Sequence, residues 1–194
     1  MAVVQSIHQK HSSSLIHPLD DFYGRAELPL PPVAEVDPLE MPEPYRSLLV
    51  HPRDMTSTLE KFHGGRIHLR LHGKRQVGND YFREVVLQLD GSNQPVEFGA
   101  IHIHLNLFPA EARHWILQEH LPLGRILNEN AIRYTSRPVA FLRFASDKLI
   151  NGLLGLTGAQ VLYGRRNRLL DGQERPLAEI IEILPPVEAG KAET

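Results

Sequence analysis

Between Ile67 and Leu107 the chain repeats one pattern three times, and that repetition leaves few folds open. Ile67, Leu69 and Leu71 alternate with Arg66, His68, Arg70 and His72, the period of two that marks a half-buried strand. A second run, Tyr81 to Leu89, ends at the turn pair Asp90-Gly91, and a third, Val96 to Leu107, sets Ile101, Ile103, Leu105 and Leu107 against His102, His104 and Asn106. Neighbouring strands with such short connections can pair only as hairpins, so an antiparallel meander is expected.

The rest of the chain extends that sheet and covers it. Further strands are expected at Tyr134–Phe144, Val161–Leu170 and Pro176–Leu184, giving six. Helices are expected over Leu48–Phe62, interrupted at Pro52, over Ala110–Glu119, over Gly124–Asn130 and over Ser146–Leu154. Asp54 or Thr56 can cap the first helix and Gly64-Gly65 can stop it. A chain of 194 residues is the size of one domain with its own core. The segment before Tyr45 carries Pro29, Pro31, Pro32, Pro38, Pro42 and Pro44. Proline has no donor for a ladder, so residues 1–44 read as an extended arm or linker, 45–186 as an α+β domain and 187–194 as a frayed tail.

Composition closes several routes to function. There is no cysteine, which removes disulfides, thiolate metal sites and thiol nucleophiles and suits a cytoplasmic protein. A net charge of −2 offers no field to draw the chain onto nucleic acid or an anionic membrane. No apolar run is long enough to span a bilayer. Glycine-rich phosphate loops, the Gly-x-Ser-x-Gly elbow and His-Glu-x-x-His are missing from the sequence. His102 and His104 share one strand face, and His68 and His72 another. A metal site there needs a carboxylate or third histidine converging on the pair, and spacing does not show convergence. The histidines are therefore read as polar strand positions, with no metal or organic cofactor.

Two charges fall on faces where charge is expensive. Alternation puts Arg83 with Tyr81, Val85, Leu87 and Leu89, and Glu182 with Ala178, Ile180 and Leu184. An unpaired guanidinium on an apolar face is costly, so Arg83 needs an anion. Three arrangements satisfy this: a structural ion pair between the two, a bulge that lets one side chain reach water, or an anion site beside a proton-handling carboxylate. Arg165, Arg166 and Arg168 form a further basic strand, read as a solvated face.

Several segments in order resemble the chorismate pyruvate-lyase family. They are Asp54-Met55-Thr56 ahead of a helix, Tyr81 to Leu87 leading to Asp-Gly, Pro122-Leu123-Gly124-Arg125, Gly164-Arg165-Arg166 and the closing strand Pro176–Pro185. The resemblance implies an antiparallel sheet with helices on one side enclosing an internal ligand pocket. It implies an enzyme that releases pyruvate from chorismate to leave 4-hydroxybenzoate, without a cofactor. Arg83 would bind the ring carboxylate with the backbone N–H groups of Met55 and Leu123, and Glu182, or Glu179 in a shifted register, would be the acid/base. Ala100 stands where the family's bacterial enzymes carry an arginine. A non-catalytic alternative on the same fold is an effector-binding domain of the UTRA type, taking a small aromatic or cyclohexadiene carboxylate.

Overall fold

The computed structural model describes residues 14–187. Its elements, in chain order, are α1 (Leu19–Arg25), β1 (Val33–Glu35), α2 (Tyr45–Leu49), α3 (Met55–His63), β2 (Ile67–Val77), β3 (Asp80–Leu89), β4 (Pro95–His104), α4 (Ala110–Gln118), α5 (Leu123–Glu129), β5 (Thr135–Ala145), α6 (Lys148–Leu154), β6 (Val161–Leu170) and β7 (Pro176–Leu184). The seven strands form one antiparallel sheet in the order β1-β5-β6-β7-β4-β3-β2. The expected meander is β2-β3-β4. β7 then docks on β4, so the chain's last strand lies at the centre of the sheet and the two edges are β1 and β2.

Six strands were expected, and the seventh comes from the proline-rich stretch. Val33, Ala34 and Glu35 pair with Phe144, Arg143 and Leu142 at the sheet edge, where proline-flanked strands are tolerated because one ladder goes unused. Ile16, Leu19, Tyr23 and Met41 are fully buried, and the Tyr23 hydroxyl donates to Asp147 Oδ2 at 2.7 Å. Asp147 in turn caps α6 by accepting from the Ile150 N–H. Parts of the stretch expected to be an extended arm, namely α1, β1 and Met41, therefore pack onto the domain, while residues 24–30 are exposed. Proline density excludes long ladders but does not prevent isolated apolar side chains from docking.

Helices cover both faces of the sheet, where one side was expected. On one face Leu19 and Tyr23 of α1 and Ile150, Leu153 and Leu154 of α6 pack on Val86, Phe98, Ala100, Ile181 and Ile183. The opposite face carries α4 and α5 over Tyr81, Ile101, Ile103 and Ile180, and α2 and α3 over Leu69, Val85, Leu87 and Leu184. A central strand buried on both faces reads as a continuous apolar run, as Ala178 to Leu184 does apart from its two glutamates. Asp54 caps α3 by accepting from the Ser57 N–H at 2.8 Å, and Gly64 ends the helix in the left-handed region at φ 66°. Among the described residues no helix is long and apolar enough to cross a membrane.

A cavity between the sheet and the paired helices

Under α3 and α5 lies a cavity of about 50 Å³. Its apolar wall includes Leu69, Val85, Leu87, Ile101, Leu169 and Ile180, and its polar groups are Arg83, Glu97, Asn167, Glu182, Asp54 and Thr56. The strand registers place these residues in rows. Arg83 is opposite Ile101, which is opposite Ile180, then Asn167; one row along, Val85 is opposite Gly99, then Glu182, then Arg165. Gly99 keeps the space open in the middle, since a Cβ there would sit 3.1 Å from Glu97 Oε1 and 3.4 Å from the Ile181 carbonyl. Gly124 closes the roof: a Cβ would meet Asp54 Oδ1 at 2.8 Å, so only glycine lets α5 come this close to the α3 cap.

Arg83 is 1% exposed. Its Nη2 donates to the Leu121 carbonyl at 3.4 Å, and its Nε and Nη1 have no partner among the described residues. Burial pushes the guanidinium down to about 10, opposed by Tyr81 and Glu119, so it stays charged at neutral pH. Met55 and Leu123 are the first residues of α3 and α5, and both line the cavity with Arg83. First-turn N–H groups have no intrahelical acceptor. The three residues expected to hold a carboxylate thus meet at one space.

Glu182 is there too, in a different setting from the one expected. It is ion-paired to the Arg165 Nε, with both side chains buried, so the structural pair envisaged between Arg83 and Glu182 is instead Arg165–Glu182. Arg165 spends its other donors on the α2–α3 connection: Nη1 reaches the carbonyls of Leu49 at 3.1 Å and His51 at 3.0 Å, and Nη2 that of Arg53 at 3.1 Å. Burial and this cation push the His51 imidazole down to about 4. The reading of Arg165, Arg166 and Arg168 as a solvated face fails, because Arg165 is 0% exposed and Arg166 is buried on the other face, near Glu179. Glu179 sits on that second face with Arg168, away from the cavity, so it is not the inward carboxylate.

Glu97 was missed. It is buried, its Oε2 has no partner among the described residues, and burial followed by the charge of Glu182 holds its carboxyl well above the usual range, with Arg165 opposing. Burial beside the Arg165–Glu182 ion pair thus favours the protonated form of Glu97. Its signal lay in the alternation, since Glu97 shares its face with Gly99, Ile101 and Ile103.

No sequence-family model and no curated protein matches the chain. Solved structures do. PhnF from Mycobacterium smegmatis aligns at a TM-score of 0.54 and 14% identity over 70% of this chain and 64% of its own length. The effector domain of the same protein gives 0.50 and 14% over 68% and 88%. A GntR-family transcriptional regulator from Bacillus cereus gives 0.47 and 14% over 66% and 96%. At this identity the likeness shows the fold alone, and it does not show the chorismate pyruvate-lyase family. The expected carbon–oxygen lyase is corrected accordingly, because the matched folds are those of PhnF and its effector domain, and Glu182 is committed to Arg165 instead of standing free for proton transfer. The chain shares its fold with PhnF and with the PhnF effector domain.

Proposed function

We propose that this domain is a non-catalytic binding module for a small carboxylate, in which ligand charge completes the partner set of Arg83. One observation carries the reading: a fully buried guanidinium with two donors that lack acceptors among the described residues faces an apolar-walled cavity. Leaving a buried charge uncompensated costs several kcal/mol, so a cation in this position is sustained by the anion it serves. A ligand carboxylate would accept from Arg83 in the two-point geometry that guanidinium favours, helped by the first N–H of α3 and of α5. At the far end of the cavity Glu97 would donate its proton to a ligand oxygen, and the aliphatic wall suits a flat ring. An aromatic acid bearing an oxygen opposite its carboxylate matches this layout.

The space is well below the roughly 300–1,000 Å³ of ordinary ligand sites. It holds a few waters at most. Binding therefore requires α3 and α5 to part and reclose, which is the motion a sensor domain converts into an output.

Calorimetric titration with 4-hydroxybenzoate as probe tests the reading. Saturable binding that weakens by about 2–5 kcal/mol in Arg83→Ala supports it. Equal binding by wild type and Arg83→Ala, or preference for an uncharged phenol over the acid, would remove Arg83 from the site.

A further inference from the structure

On the opposite face of the sheet, where β3 begins after the β2–β3 turn and β4 ends, the structure supplies the convergence that the histidine spacing alone left open. His102 and His104 are two apart on β4, and Asp80, the first residue of β3, is the direct cross-strand partner of His104. His102 Nε2 lies 2.8 Å from Asp80 Oδ1, and His104 Nδ1 lies 2.9 Å from the same oxygen. The three donor atoms thus close a small triangle. Two imidazoles and a carboxylate on one point are a ligand set suited to first-row divalent ions.

The supporting shell is present as well. His102 is clamped by a stacked Phe82 ring at 4.1 Å and 14° and stands edge-on to His17 at 6.0 Å, so its orientation is fixed before any ion arrives. Its Nδ1 is buried without a partner among the described residues. Glu179 is the cross-strand neighbour of His102 on β7, and His17, His102 and Glu179 bring donor atoms within 4.8 Å of one another. A metal-ligating histidine characteristically gives its second ring N–H to a carboxylate, and Glu179 is placed to accept it. Asp80 is 48% exposed, which leaves ion entry and a further coordination position on the solvent side.

We propose that Asp80, His102 and His104 form a binding site for one divalent transition-metal ion, with Glu179 as the carboxylate behind His102. The site is independent of the Arg83 cavity, which opens on the other face of the sheet, so each proposal stands or falls alone. His68 and Asp90 provide an internal comparison, since they form a pair at 2.8 Å with a single imidazole and no second ligand converges on it among the described residues.

The experiment is a competition titration of the full chain with Zn²⁺ against a chromophoric chelator, repeated with Co²⁺ to read its visible absorption. Wild type and His68→Asn should each take up one equivalent and give Co²⁺ bands of nitrogen–oxygen coordination. Asp80→Asn and His104→Asn should each weaken uptake by at least about tenfold, while the metal-free melting midpoints, read first, show that the variants are folded. One equivalent bound equally well by the Asp80→Asn/His104→Asn double variant would place the metal elsewhere and overturn the proposal, as would wild-type Co²⁺ spectra unchanged from the aquo ion. If a variant fails to fold, the wild-type Co²⁺ spectrum alone decides.

Discussion

Arg165 and Glu182 face each other across β6 and β7 and form a buried ion pair at the wall of the cavity. The same guanidinium holds three carbonyls of the segment joining α2 to α3, so it fastens one of the two helices that roof the cavity to the centre of the sheet. A charge used this way is structural, yet it determines where the roof can hinge.

Removing Arg165 should be the most destabilising single change at the site. Arg165→Met leaves Glu182 and Glu97 buried together without a cation and should cost about 3–5 kcal/mol. Arg165→Met with Glu182→Leu should recover much of that loss, because the second change removes the stranded carboxylate. Urea melts of the two singles and the double measure the coupling, and additive effects would mean the pair contributes nothing beyond its parts.

Arg83 should behave in the opposite way. Its donors are only partly used within the fold, so Arg83→Met should leave stability unchanged or raise it by about 1 kcal/mol while carboxylate binding is lost. A drop of several kcal/mol in the melt would show that the fold, through Tyr81 and Glu119, already satisfies this charge.

The sheet was legible because alternation is a local property: β2, β3 and β4 follow from side chains two residues apart. What spacing does not encode is partner choice between distant strands. Arg83 and Glu182 were both legible as inward charges, but that Glu182 faces Arg165 follows from β7 pairing with β6 and β4 at once. The basic strand misled because three arginines in four positions look solvated. Here Arg165 is covered by the connection between α2 and α3 and Arg166 reaches the Ser14 carbonyl, both far along the chain, and only Arg168 stays partly exposed. Likewise α1 and β1 were hidden by prolines, since a three-residue edge strand has too few positions to display a period. Met55 and Leu123 line the cavity, each through its place at a helix start.

Glu97 should make stability fall toward alkaline pH. Its folded carboxyl lies above its ordinary value, so its contribution is whole below the unfolded carboxylate range and is lost as pH rises through the raised folded value. Glu97→Gln keeps the shape and removes the titration. The variant should match or trail wild type in acid and exceed it in base, as read by thermal melts over a pH series. A constant difference between the two at every pH would mean that Glu97 titrates alike in the folded and unfolded chain.

Glu84 allows the same logic to be tested away from the cavity. It lies on the face covered by α1, with its Oε2 3.3 Å from where a Cβ on Gly73 would sit and the Phe22 ring close by. Its Oε1 has no partner among the described residues. Burial alone raises its carboxyl from 4.5 to about 7. A raised acid contributes its full stability below the unfolded value and loses it as pH climbs through the folded one, so this loss falls between about pH 4.5 and 7. Glu84→Gln should remove the Glu84 share of the decline between about pH 4.5 and 7 and leave the Glu97 share in place. Glu84→Gln with Glu97→Gln should remove both. Denaturant melts from pH 4 to 9 on the wild type, each single and the double separate the two carboxyls. A Glu84→Gln curve parallel to wild type through pH 7 would show that the carboxyl under α1 finds water when it ionises, and that α1 lifts from the sheet to admit it.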